Sequence, residues 1–309
     1  MLLKNFVPYI ADKGKEYKPV RANDISDCLK RLAYSEIQPT EETKVGFVSY
    51  SDLDSIENLV TVVDPNGRIL IITLRSDVKS IPEGESLKEI KRIAKERKLD
   101  IKSLPKKEIK ALQKEARIKL MPTAPVKTTL HHLVFDCREC KLLVCESSVK
   151  AAEKVATIFL NSLAMLGDRA PKLVPLQLDA EIIIGCFTAW LKEKIAAQPF
   201  NLGNYAYLID AADEDKPTAK LDHHDLTVEE VGRHLGSGKK VKEILLRYDN
   251  DITFIVTTDL VFKKVTATKN LQAMLKKESE NSLMAPLSLM YIKCDMSLTE
   301  LLEVINDAA

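Results

Sequence analysis

The stretch Pro82–Lys119, PEGESLKEIKRIAKERKLDIKSLPKKEIKALQKEARIK, decides how the rest of the chain is read. Residues 83–119 hold 13 Lys/Arg against 7 Asp/Glu, a net of +6, whereas the whole 309-residue chain carries only +1, so everything else sums to −5. A neutral overall balance therefore conceals a polarised molecule. Two helical patterns, Ser86–Leu99 and Lys106–Leu120, are separated by Asp100–Pro105, and Pro105 suits the first turn of the second helix. The segment reads as a basic helical hairpin. Such a footprint fits a polyanion, because neutralising phosphates releases condensed counterions without any reading of base sequence. The competing reading is a solvated pair of helices laced by salt bridges.

Outward from this arm, the flanks have strand chemistry. On the N-terminal side the pattern predicts a strand at Leu2–Ile10, a helix at Ala22–Leu32 and a strand at Lys44–Val48. Then LVTVVDPNGRILIITLR sets Asp64-Pro65-Asn66-Gly67 between two β-branched runs, a hairpin signal. Beyond the arm, TTLHHLVFDCRECKLLVCES predicts a second hairpin turning near Arg138–Lys141, followed by a helix over Val149–Leu166 and a loop with a short strand. The order β-α-β-β-arm-β-β-α-β implies an α+β fold carrying the hairpin as an insertion.

The second half predicts a helix at Glu181–Ala196, a strand at Ala219–His223, and a helix opened by the capping-box spacing of Thr227 and Glu230 and closed by Gly236 and Gly238. Three strands follow at Lys239–Tyr248, Asp251–Thr257 and Val261–Val265, then a last strand at Ser288–Cys294 and a helix at Leu298–Ile305. Three units are expected: residues 1–82 with 120–178, the inserted hairpin 83–119, and a C-terminal α+β unit 179–309.

Composition narrows the function classes. No apolar run approaches the ~20 residues of a membrane span, and MLLKNFVPYI lacks the features of a secretory signal, so a cytoplasmic protein is expected. Six scattered cysteines suit reduced, buried thiols. With 6% aromatics and one Trp, base stacking is not the expected binding device.

Apparent chemical motifs weaken under test. Cys137-Arg-Glu-Cys140 lacks the second ligand pair of a zinc site and sits in a turn rather than before a helix. His131 and His132 are neighbours on a strand, so they face opposite ways. Gly236-Ser-Gly-Lys-Lys240 lacks the first glycine and the Ser/Thr of a phosphate loop. No metal, no cofactor and no catalytic residue is expected.

Several strings carry a resemblance: LKNFVPYI at the start, Lys44-Val-Gly-Phe-Val48, Asp77-Val-Lys-Ser-Ile-Pro82, Leu120-Met-Pro-Thr-Ala-Pro125 and Ser148-Val-Lys-Ala-Ala-Glu153. Trp190-Leu191, Asp225-Leu-Thr-Val-Glu-Glu230, Gly238-Lys-Lys-Val241 and Asp251-Ile-Thr-Phe254 continue it in the same order. Their collinearity, from Leu2 to about Val265, resembles the RdgC family of recombination-associated proteins, bacterial or phage-encoded.

That resemblance implies an α+β, multi-domain horseshoe whose homodimer closes into a ring around double-stranded DNA without sequence preference. It further implies antagonism of RecA-driven recombination, a role at replication forks, and a nucleoid-associated location in the cytoplasm. The phosphate contacts expected on the arm are Lys88, Lys91, Arg92, Lys95, Lys98, Lys106, Lys107 and Lys110, with Lys239 and Lys240 on the later basic strand. His223 and His224 stand where the family tends to be basic and polar, and an imidazole, with an ordinary pKa of ~6.5, gains charge beside phosphate as pH falls. Pro125 replaces an aromatic usual in the family, removing a side chain able to pack at ring closure. The alternative from another class is an interaction module whose hairpin grips an acidic protein, for which apolar anchors amid the charge are the mark.

Overall fold

The computed structural model describes residues 2–12, 17–101, 103–210, 217–223, 226, 229–282 and 284–307. Its first sheet contains β1 (Val7–Ala11), β2 (Thr43–Val48), β3 (Val60–Val62), β4 (Ile69–Lys79), β5 (Val126–Asp136), β6 (Lys141–Val144) and β7 (Leu173–Pro175). They lie in the order β2-β4-β5-β6-β1-β7, with β3 also on β4, and every pairing is antiparallel. Helices α1 (Ala22–Leu29) and α4 (Val149–Ser162) cover one face, where Ile25, Leu29, Val155 and Phe159 pack on Phe47, Leu74, Leu133 and Phe135.

The second sheet is built from β8 (Phe200–Ile209), β9 (Thr218–Asp222), β10 (Lys240–Tyr248), β11 (Ile252–Thr257) and β12 (Phe262–Ala267), ordered β12-β11-β10-β8-β9. Helices α5 (Ala180–Glu193), α6 (Glu229–Gly236), α7 (Lys269–Asn281) and α8 (Ala285–Asp307) accompany it. Ile69, Ile71 and Val134 of the first sheet share one apolar cluster with Phe200, Phe254 and Phe262 of the second and with Met290, Tyr291 and Cys294 of α8. Phe6 and Phe262 bridge the sheets through backbone hydrogen bonds, and their rings stack at 4.5 Å.

Three expectations are corrected. The Ser288–Cys294 run is not a strand but part of α8, because Met290, Tyr291, Cys294, Leu298, Leu301 and Ile305 recur at helical spacing and are all buried. Strand β8 and helix α7 were not anticipated. The N-terminal strand is only β1, with Phe6 adding an isolated bridge.

Candidate nucleic-acid interface

The arm grows out of the longest strand pair in the molecule. Strands β4 and β5 pair along eleven positions, from Ile69↔Asp136 to Lys79↔Val126, and the arm replaces the turn that would otherwise join them. Its root is fixed by polar groups. Buried Asp77 accepts hydrogen bonds from the Tyr34 hydroxyl at 2.6 Å and from Arg75 at 3.1 and 3.0 Å. Burial alone would push that carboxyl up, but Arg75, Tyr34 and Thr128 together hold it below the usual range. Next, Lys79 turns its ammonium inward and donates to the carbonyls of Gln38 and Pro39, each at 2.8 Å. Arg117, in the last turn of α3, forms an ion pair with Glu42, tying the returning end of the arm to the residue before β2.

Two helices form the arm, α2 (Glu83–Glu96) and α3 (Lys106–Leu120). Pro105 stands at the N-cap of α3 with extended backbone, one position before the first turn where the sequence suggested it. Ile90, Ile93 and Ala94 pack on Leu112 and Ala116, forming a small core separate from the two large ones. Arg97 of α2 grips both carboxylate oxygens of Glu115 on α3, at 2.8 and 2.7 Å. The bland reading thus holds for part of the arm's charge.

The remaining charge is sorted by side. Lys88, Lys91 and Lys95 recur at steps of three and four, forming a stripe roughly 140° around α2 from its buried side at about 100° per residue, and Lys98 follows beyond the helix end with φ +57°. Lys107, Lys110 and Lys114, flanked by Lys106, form a stripe on α3 roughly 170° from Leu112 and Ala116, on the face turned away from α2. On each helix the carboxylates of Glu85, Glu89, Glu96, Glu108 and Glu115 fall outside the lysine stripe. All eight lysines are exposed, and among the described residues none has a carboxylate within ion-pair distance.

Arg92 stands apart. It points to the acidic side, donates to Glu89 at 2.8 and 2.6 Å and pairs with Glu96. The hydrogen bond from Arg92 holds the Glu89 carboxyl below its ordinary range and raises Arg92 in turn. Its charge is spent locally. The arm also exposes apolar side chains, Leu87 at 52% and Ile118 at 64%.

Other candidates lie off the arm. Lys240 pairs with Glu181 at 3.2 Å, and the half-buried Lys239 reaches the Ser237 hydroxyl at 3.4 Å. His223 is not on a strand, because β9 ends at Asp222; it is exposed, takes φ +57° and lies 3.9 Å from the Asp222 carboxylate. His224 lies outside the described residues. His131 meets Glu146 at 2.5 Å while His132 meets the Thr73 hydroxyl at 3.2 Å, and burial lowers the pKa of His132.

Cys137 and Cys140 are buried at the β5–β6 turn, and burial pushes Cys140 up to about 12, opposite to what a reactive thiol needs. Among the described residues no group of three or more His, Cys, Asp or Glu is placed to hold a metal ion. No helix there is long and apolar enough to cross a membrane.

Comparison with known proteins identifies the family. A family model described as "RdgC: Putative exonuclease, RdgC" matches residues 1–308. A recombination-associated protein RdgC of Xylella fastidiosa (strain M12) is 28% identical over 246 residues, covering 79% of this chain and 78% of its own. One of Neisseria meningitidis serogroup C (strain 053442) is 26% identical over 260 residues, 82% of this chain and 80% of its own. One of Pseudomonas putida (strain GB-1) is 24% identical over 311 residues, 100% of this chain and 97% of its own. With the match running from the first residue nearly to the last, the chain belongs to the RdgC family.

Proposed function

We propose that this protein binds double-stranded DNA without sequence preference, as a homodimeric ring, and thereby modulates RecA-dependent recombination and replication-fork processing in the nucleoid. The observation that carries this reading is the clustering of exposed, unpaired lysines apart from the carboxylates on each helix of the arm. A solvated structural hairpin has no reason to segregate its charge, whereas a phosphate backbone needs clustered cations free of internal partners. The relatives' name, recombination-associated protein, supports the DNA setting.

The act is binding, with no catalytic step. Random-sequence duplex should shift at low salt and compete with heparin. End-labelled duplex incubated with the protein and Mg²⁺ or Mn²⁺ should stay intact, and released nucleotides would instead favour the exonuclease of the family description.

A second reading is supported by Leu87 and Ile118, exposed apolar side chains that could anchor an acidic protein on the same arm. Replacing both by Ser separates the two: duplex affinity is retained if the ligand is DNA and falls if apolar anchoring dominates.

A further inference from the structure

The helical layer on the first sheet stops short of the strands it covers. Helices α1 and α4 pack over Phe47, Leu74 and Leu133, but β2, β4 and β5 extend past them toward the root of the arm. The registers Val45↔Ser76, Ser76↔Thr129 and Val78↔Lys127 keep these further residues on the same face. There Val45 is 40% and Val78 38% exposed, and Lys127 and Thr129 are exposed too. Where α4 flanks this bare area it leaves a groove of about 480 Å³, whose apolar floor includes Val45, Leu74, Val155 and Ile158.

The rim of the groove carries one sign of charge. Lys150 and Lys154, one turn apart on α4, line it and are exposed, and neither has a carboxylate within ion-pair distance among the described residues. Glu153 sits well around the helix from both the floor and the buried side, at about 100° per residue, and acts instead on Tyr9 of β1. Glu146 meets His131 at 2.5 Å, and Glu42 pairs with Arg117, so the carboxylates bordering this face are already engaged.

We infer that the groove takes an acidic amphipathic helix of a partner protein, laid beside α4 as a further member of the helical layer. It uses none of the arm lysines and stands apart from the DNA reading. A helix beside α4 at the usual spacing of about 8–10 Å covers the half-bare sheet face. Its apolar stripe meets Val45, Val78 and Ile158, while carboxylates on its flanks meet Lys150 and Lys154 on one side and Lys127 on the other. From Lys150 to Ile158 the groove runs about 12 Å along α4, so roughly three turns fill it. Duplex DNA would engage the same lysines but leave the aliphatic floor open to water.

The test uses a fluorescein-labelled acidic peptide of about 18 residues, with Leu at helical spacing on one side and Glu or Gln elsewhere, and a scrambled peptide of the same composition. Full-length protein should bind the ordered peptide about tenfold or more tightly than the scrambled one. The double variant Lys150→Glu/Lys154→Glu should lose about tenfold or more of that affinity. Val45→Asp, at an exposed position, should weaken it as well with the melting temperature unchanged, which separates lost docking from lost folding. Lys91→Gln/Lys95→Gln on the arm should bind the peptide like the wild type, and excess random-sequence duplex should not displace it. Equal binding of the two peptides, or full binding by the Lys150/Lys154 variant, overturns the inference. Displacement by duplex would assign the groove to nucleic acid, and a monomeric Lys150/Lys154 variant beside a dimeric wild type would assign it to a second copy, so either result overturns it as well.

Discussion

The decisive perturbation is the quadruple replacement of Lys91, Lys95, Lys107 and Lys110 by Gln, two lysines from each stripe of the arm. Each phosphate contact contributes about −0.9 to the slope of log K against log salt, so losing four should flatten the slope by about 3.6. Between 50 and 200 mM salt that difference compounds to roughly 150-fold, so the variant should lose about 150-fold less affinity than the wild type over this interval. Arg92→Gln is the internal control. Its charge is held by Glu89 and Glu96, so its slope should match the wild type. Fluorescence anisotropy on labelled random-sequence duplex at four or five salt concentrations reads both. Equal slopes for the quadruple variant and the Arg92 control would refute the claim that sorted, unpaired lysines are the phosphate contacts.

Three further outcomes test the framework that holds the arm. Ile93→Ala removes a buried member of the arm's small core and should cost the arm about 2–5 kcal/mol; proteolysis within 83–119 should accelerate while the melting of Trp190 fluorescence, a probe buried in the main core, stays put. Gly46→Ala should cost the sheet about 3 kcal/mol in denaturant unfolding, because a Cβ there would sit 2.4 Å from the Tyr34 Cα, a backbone atom that cannot rotate away. Burial would raise the Asp136 carboxyl, but Arg68 and the Glu139 and Arg138 N–H groups outweigh it and hold it below the ordinary range. Its contribution is therefore complete above the unfolded value and is lost as pH falls below about 4; Asp136→Asn should lower stability at pH 7 by about 2–3 kcal/mol and flatten that acid limb.

The arm's two helices are legible because what shapes them is local, although the polar contacts that fix its root are not. Ile90, Ile93, Leu112 and Ala116 advertise their buried sides through helical spacing, and Asp100–Pro105 breaks the pattern between them. The neutralisation of Arg92 is readable in principle from Glu89 and Glu96 at three- and four-residue offsets, but Lys88 and Lys95 stand at the same offsets, and only the structure shows which rotamer it takes. Long-range packing hid the rest. The run LSLMYIKC looks like a strand when taken alone, because the exposed side of α8 carries Ile292 and Met296 there in place of the polar stripe that marks a surface helix. Strand β8 escaped notice because Gly203 and two asparagines interrupt its alternation; Gly203 is there since any Cβ would meet Leu245 of the neighbouring strand. His223 was placed on a strand that stops one residue earlier, where the chain turns to positive φ.

The placement of the arm between β4 and β5 also bears on how the chain reaches its native state. Lys79 and Val126 are direct partners, yet residues 80–125 run between them, and closing so long a flexible loop carries an entropy penalty that grows with its length. Two amphipathic helices with their own core can form within the loop before the strands meet, and their antiparallel packing brings Pro82 and Leu120 back side by side. The ends to be joined are then already neighbours. The central strand pair zips from its arm-proximal end as a short-range event, and the segment that offers lysines to a duplex doubles as the clasp that lowers the kinetic barrier to the sheet.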